Sequence, residues 1–206
     1  MKKCIVTTLL MFFLTLSFSQ KKNTQNEVKS SDLFGLKFRS VGPAFMSGRI
    51  ADIAINPKNE NEWYVAVGSG GVWKTKNSGT TWNPIADDQP FYSTGCITID
   101  PNNDSNIWLG TGENVGGRHV GIGHGVYLSR DGGKSWKSMG LKKSEHISKI
   151  IVHPKNSDVI YVASQGPLWS SGGDRGLFKS VDGGKNWKNV LKINKWTGVT
   201  LSLIHI

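Results

Sequence analysis

Three short stretches decide the fold: Thr75-Lys-Asn-Ser-Gly-Thr-Thr-Trp82, Ser129-Arg-Asp-Gly-Gly-Lys-Ser-Trp136 and Ser180-Val-Asp-Gly-Gly-Lys-Asn-Trp187. Each opens on a hydroxyl residue, carries Asn77, Asp131 or Asp182 two places on, runs through glycine and closes on tryptophan. The tryptophans stand 54 and 51 residues apart, a period that marks a repeat architecture. A short polar side chain can accept backbone N–H groups inside its own turn, glycine permits positive φ, and the tryptophan covers the hairpin. The residues Asn77, Trp82, Asp131, Trp136, Asp182 and Trp187 are therefore read as scaffold.

Upstream of each stretch lies an apolar strand ending in Asn56-Pro57, Asp100-Pro101 or His153-Pro154. A polar turn follows, and then an aliphatic-aromatic run: residues 63–67, 107–109 and 159–163. Each unit thus holds four short strands, which in the first fall near 49–55, 63–68, 71–76 and 81–85. No stretch has helical periodicity with caps. The expected class is all-β, a β-propeller of four-stranded blades. The blades fall at about 47–86, 93–140 and 146–191, and residues 196–200 lead into a fourth. Propellers use roughly four to eight blades, so three cannot close a ring.

The shared pattern Ser/Thr-x-Asp-x-Gly-x-x-Trp resembles the Asp box of BNR-repeat proteins. Residues 36–200 resemble the sortilin N-terminal-type propellers of bacterial secreted proteins, and also the propellers of xyloglucan-degrading glycoside hydrolases. Asn77 departs from the box, but asparagine can cap the same turn. The first resemblance implies a binding module. The second implies a hydrolase.

The ends read differently. Lys2 and Lys3 precede an apolar run, Cys4 to Phe18, that is short for a membrane span, and Ser17 and Ser19 offer a cleavage site. Residues 1–19 are read as a signal peptide, which places the protein in the periplasm, on the cell surface or outside the cell. Residues 20–35 read as a polar, flexible leader, and the mature chain shows no apolar run of spanning length. Residues 201–206 match what a sequencing-adaptor sequence would encode, so they are expected to be a non-native tail on a chain broken off near Thr200. One cysteine of the two, Cys96, then remains, and no intramolecular disulfide can form. The net charge is +10, with many lysines flanking the hairpins, where they keep outer strands from pairing with other chains. No aromatic-basic groove pattern points to nucleic acid, and nothing signals a cofactor.

Chain direction separates scaffold from chemistry. In an up-and-down blade the Asp boxes share one end with the Asn-Pro turns. The second-to-third loops and the inter-blade links share the other end, with the starts of the innermost strands. Those loops vary: two residues in the first blade, Thr111–His124 in the second and Gln165–Arg175 in the third. Long loops on a rigid sheet are where binding residues concentrate. The ligand-binding candidates are Arg49, Glu113, Asn114, Arg118, His119, His124, His146, Trp169, Asp174 and Arg175. Glu113 with Arg118 fits a loop-ordering ion pair as well as a ligand contact, and Trp169 fits a sugar-stacking platform as well as a cap on the blade. The histidines with Glu145 show no known metal-ligand spacing, so no metal site is assigned.

Two functions follow. One is a module holding a glycan, peptide or protein on the loop face. The other is a glycoside hydrolase acting on a β-glucan such as xyloglucan. Hydrolysis needs two carboxylates, roughly 5–5.5 Å apart for retention and 6.5–9.5 Å for inversion. The acids available are Glu113, Asp52 and Glu145, with Asp174 and Asp87 or Asp88 behind them, and none stands in a recognisable hydrolase motif. A cell-envelope scaffold is a third possibility. Binding is the first reading.

Overall fold

The computed structural model describes residues 29–33, 35, 48–114 and 120–204. The chain divides into two compact units, Met1–Phe45 and Met46–Ile206. In the first, the described residues form a 3-10 turn at Ser30–Leu33. The expected signal segment lies outside the described residues, as do Arg118 and His119. The second unit holds everything that follows.

Among the described residues, twelve strands form three antiparallel sheets of four. The first sheet is β1 (Ile50–Asn56), β2 (Asn59–Val67), β3 (Gly71–Thr75) and β4 (Asn83–Pro84), in that order. The second is β5 (Thr94–Ile99), β6 (Ile107–Thr111), β7 (Val126–Ser129) and β8 (Lys137–Ser138). The third is β9 (Ile147–His153), β10 (Asn156–Ser164), β11 (Gly176–Ser180) and β12 (Lys188–Leu191). Each is a meander in which consecutive strands pair, and consecutive sheets meet through their first strands, β1 with β5 and β5 with β9. Strands β2 and β10 start earlier than their apolar runs suggest, because a two-residue Pro-Lys turn lets Asn59 pair with Asn56 and Asn156 with His153. The outermost strands β4 and β8 keep only two residues each, the ones registered against β3 and β7.

The cores lie between sheets. Tyr64, Ala66 and Val72 of the first sheet face Ile97, Ile107, Leu109 and Tyr127 of the second. Cys96, Trp108, Val126 and Leu128 of the second face Ile150, Ile160, Val162 and Phe178 of the third. Strand alternation explains the division, since successive side chains point to opposite faces and each sheet has one face for each neighbour. The hairpin tryptophans staple the stack. Trp136 Nε1 donates to Ile85 O of the preceding sheet at 3.2 Å, and Trp187 Nε1 to Met139 O at 2.6 Å. Trp187 also meets Trp108 edge-to-face at 6.4 Å. The same face of the first sheet leaves Ile50, Ile53, Ile55 and Trp82 exposed.

Burial pushes the Cys96 thiol up to about 12, with the nearby Asp52 charge adding to it, so the thiol is inert. It is a small apolar side chain in the second core.

Candidate functional site

The three hairpin turns that close on Trp82, Trp136 and Trp187, read from the sequence as Asp boxes, share one hydrogen-bond pattern. Asp131 Oδ1 accepts the backbone N–H groups of Lys134 and Ser135, both at 2.9 Å, and the Ser129 hydroxyl at 2.7 Å. Asp182 accepts Asn186 N at 2.9 Å and the Ser180 hydroxyl at 2.8 Å. Asn77 Oδ1 accepts Thr81 N at 2.9 Å and the Thr75 hydroxyl at 2.9 Å. The Ser135 hydroxyl, together with its N–H and Ser129, holds the Asp131 carboxyl down to about 2; the Asn186 N–H and amide do the same for Asp182. The side-chain polar atoms of Asn77, Asp131 and Asp182 are all bonded within their own turns.

At this end the box turns also meet the first-to-second strand turns: Gly132 N donates to Ser105 O at 2.9 Å, and Gly183 N to Asp158 O at 3.1 Å. At the opposite end Gly68 N donates to Arg49 O at 2.7 Å, and Gly112 N to Ser93 O at 2.9 Å. The second-to-third loops and the inter-blade links therefore meet away from the Asp boxes.

On that loop end the structure brings together Arg49, Glu113, Asn114 and His146. Glu113 is buried, its Oε2 paired with the Arg49 guanidinium and its Oε1 accepting the Ser69 hydroxyl at 2.7 Å. The glutamate of the second blade thus ties down the start and the short loop of the first. Burial pushes its carboxyl up, but the Ser69 hydroxyl and then the Arg49 hydrogen bond and charge outweigh that and hold it below the usual glutamate range. It is ionised and occupied, which suits a pin and not a general acid. His146 is buried with Nδ1 at 2.9 Å from Glu113 O, and since a carbonyl only accepts, Nδ1 carries the proton. Burial lowers its pKa against the pull of that bond. Asn114 Nδ2 donates to Gly95 O at 2.7 Å, and the Asn114 backbone carbonyl accepts Gln165 Nε2 at 2.9 Å.

Asp52 is also committed. Its Oδ2 accepts Ile97 N at 3.2 Å and lies 3.2 Å from Lys149 Nζ, while Oδ1 accepts Ile53 N at 3.0 Å. Glu145 differs: among the described residues its carboxylate makes no hydrogen bond or ion pair, and its backbone sits at φ 61°, a strained conformation for a non-glycine residue. Its carbonyl accepts Gly123 N at 2.8 Å and presses on Gly112, where any Cβ would stand 1.7 Å from it. His124 is exposed beside this contact, its own N–H held by Thr111 Oγ1 at 2.7 Å.

A second cluster forms around Gln165–Arg175. Arg175 is buried and spends every donor on loop carbonyls: Nε on Gly172 O at 3.3 Å, Nη1 on Gln165 O at 2.7 Å and Trp196 O at 2.9 Å, and Nη2 on Ser170 O at 3.0 Å and on Pro167 O. These bonds make it a clamp on the loop. The loop it clamps presents Trp169, 79% exposed. Among the described residues no blade core covers Trp169. Asp174 faces the neighbouring link, its Oδ2 accepting Lys143 N at 3.0 Å.

Sequence reasoning missed Ser69 and Gln165, which hold the candidates, and Tyr92, Ile122 and Trp196, which are exposed on the same loop end. Two of those three lie in inter-blade links, and a large side chain at that recurring place was a signal the sequence offered.

Meandering four-stranded sheets, stacked face to face with their first strands adjoining, make this an all-β protein of the β-propeller class. The chain is 24% identical over 156 residues to the oligoxyloglucan-reducing end-specific xyloglucanase of Emericella nidulans, covering 69% of this chain and 18% of that enzyme. It is 25% identical over 167 residues to xyloglucanase Xgh74A of Acetivibrio thermocellus, covering 72% of this chain and again 18% of the relative. The chain thus spans under a fifth of the length of these curated relatives. The crystal structure of the Niastella koreensis GH74 enzyme superposes with a TM-score of 0.53 at 23% identity, over 68% of this chain and 21% of that one. No family model matches.

Proposed function

We propose that the protein is an exported carbohydrate-binding β-propeller that holds an extended glycan across its loop end. The observation that carries this reading is Trp169, a bare indole on a loop whose backbone is fixed by a fully bonded Arg175. A flat aromatic surface held in advance offers area to the C–H face of a sugar ring at little entropic cost. Relatives named as xyloglucanases support a glycan over a peptide. The Asp boxes support kinship with the sortilin N-terminal-type propellers, and the Lys2–Ser19 segment supports export.

The relatives' names also favour a second reading, a glycoside hydrolase. Against it, Glu113 and Asp52 are both held in ion pairs, so only Glu145 of the three candidate acids is left with an unoccupied carboxylate among the described residues. Hydrolysis requires a pair, and a partner for Glu145 would have to come from Asp87 or Asp88, whose carboxylates are exposed, or from the length of the relatives that this chain does not span.

Titrating the full chain with xyloglucan oligosaccharides, while assaying release of reducing ends, decides between the two. Binding without turnover, weakened in Trp169→Ala, is expected. Turnover that disappears in Glu145→Gln would establish the enzyme and overturn the binding reading.

A further inference from the structure

The loop that carries Trp169 is flanked on both sides by lysines. On one side Lys143 exchanges two bonds with Asp174, its N–H donating to Oδ2 at 3.0 Å and its carbonyl accepting Asp174 N at 3.1 Å. On the other, Lys195 O accepts Gly172 N at 2.7 Å, and Trp196 O accepts Arg175 Nη1 at 2.9 Å. Lys142, Lys143, Lys192 and Lys195 are all exposed, and none forms an ion pair among the described residues. Lys192, Asn194 and Lys195 border a groove of about 270 Å³ beside Asp174 and Arg175. The one carboxylate built into the loop, Asp174, already accepts a backbone N–H.

These lysines lie in the links between blades and not in the hairpins, Lys142 and Lys143 ahead of β9 and Lys192 and Lys195 just after β12. Lys143 and Lys195 are each bonded through their backbone to the loop that carries Trp169, and Lys192 and Lys195 border the groove beside it, so like charges gather at this loop and repel one another, offset only by Asp174 and by Glu145 in the same link as Lys143. An anionic ligand would relieve that repulsion and gain charge-assisted hydrogen bonds. From this juxtaposition we infer that the glycan bound at Trp169 is anionic, a polymer bearing uronate or sulfate groups, with its ring on the indole and its charges on the lysines. The inference rests on the loop-end binding reading and sharpens it, because a neutral glucan has no use for the lysines. Nucleic acid and acidic peptides share the charge but differ in the rest. A peptide has no flat C–H face for Trp169, and an exported propeller meets polysaccharide first.

Affinity electrophoresis of the full chain tests it, with polygalacturonate, fully methyl-esterified pectin, xyloglucan, polyglutamate and single-stranded DNA as probes. Polygalacturonate is expected to bind best, with retardation lost between about 0.1 M and 1 M salt as the screening length falls from about 10 Å to 3 Å. The pair Lys143→Gln and Lys195→Gln should together weaken polygalacturonate by roughly tenfold and leave xyloglucan unchanged. Trp169→Ala should weaken both glycans. Equal, salt-independent binding of xyloglucan and polygalacturonate would overturn the anionic inference and keep the loop-end reading. Tighter binding of polyglutamate or DNA would overturn it in favour of that polymer. Failure of every probe to bind would overturn both.

Discussion

Lys149 of the third blade reaches past the second to lie 3.2 Å from Asp52 of the first, while the same carboxylate oxygen accepts Ile97 N of the blade between them. One aspartate thus ties together the innermost strands β1, β5 and β9.

The two partners should contribute unequally. Lys149 is partly solvated, so the ion pair itself is screened and worth about 0.5–1 kcal/mol in a double-mutant cycle. Asp52 also serves two backbone N–H groups, and Asp52→Ala leaves Ile97 N unsatisfied between sheets, costing about 1–3 kcal/mol more than Lys149→Met. Urea unfolding measures both. A larger loss for Lys149→Met would refute the assignment of Asp52 as the hub.

The Asp boxes should be acid-sensitive. Asp131 and Asp182 titrate near 2 in the fold, against an ordinary 3.8, so each favours the folded state above the ordinary value. That contribution is lost as pH falls from about 4 through 2. Asp131→Asn keeps the turn but removes the titration, as Asn77 already does in the first blade. Its unfolding midpoint should therefore fall less steeply between pH 4 and 2 than that of the wild type, with glycan affinity at neutral pH unchanged. A selective loss of affinity would show the box to be functional.

Much of this was legible in the sequence. The box spacing gave the blades, and chain direction alone placed Trp169 and Glu113 at the end away from the boxes. What the sequence could not give was who pairs with whom. Arg118 lies outside the described residues, and Glu113 pairs with Arg49, 64 residues away, because blade stacking sets one loop against the start of the preceding blade's first strand. Arg175 looked like a ligand contact for the same reason. A guanidinium beside an aspartate reads as a free cation until the loop closes five carbonyls around it. Long-range partners follow from packing, and local patterns do not encode them.

Glu113 should behave as a pin between the first two blades. Its folded pKa lies below the ordinary 4.5, so the stability it adds is present above that value and is lost as pH falls through the lowered one. Glu113→Gln can still turn its Oε1 to Arg49 and donate its amide to the Ser69 hydroxyl, but it loses the charge that assists the Arg49 bond, and should cost about 1 kcal/mol. Arg49, whose side chain is 55% exposed, can turn to water and keep the loss small. Thermal melts at pH 7 and pH 4 measure this: the gap between wild type and variant should narrow at the lower pH. A variant as stable as wild type, with binding abolished, would make Glu113 a ligand contact instead.

Trp169 and Arg175 should separate affinity from stability. Trp169→Ala removes a side chain that is 79% exposed, so the melting temperature should stay within about a degree while glycan affinity falls roughly tenfold or more. Arg175→Met leaves the carbonyls of Gln165, Pro167, Ser170 and Trp196 without their shared donor, and its cost should reach about 3 kcal/mol. Arg175→Lys retains the charge but not the planar fork, and it should recover only part of that stability. Affinity should follow the loop: Arg175→Lys binds more weakly than wild type although the lysine never reaches the ligand, and tryptophan fluorescence should report a more mobile indole. Full affinity in Arg175→Lys would show that Trp169 holds its pose without the clamp.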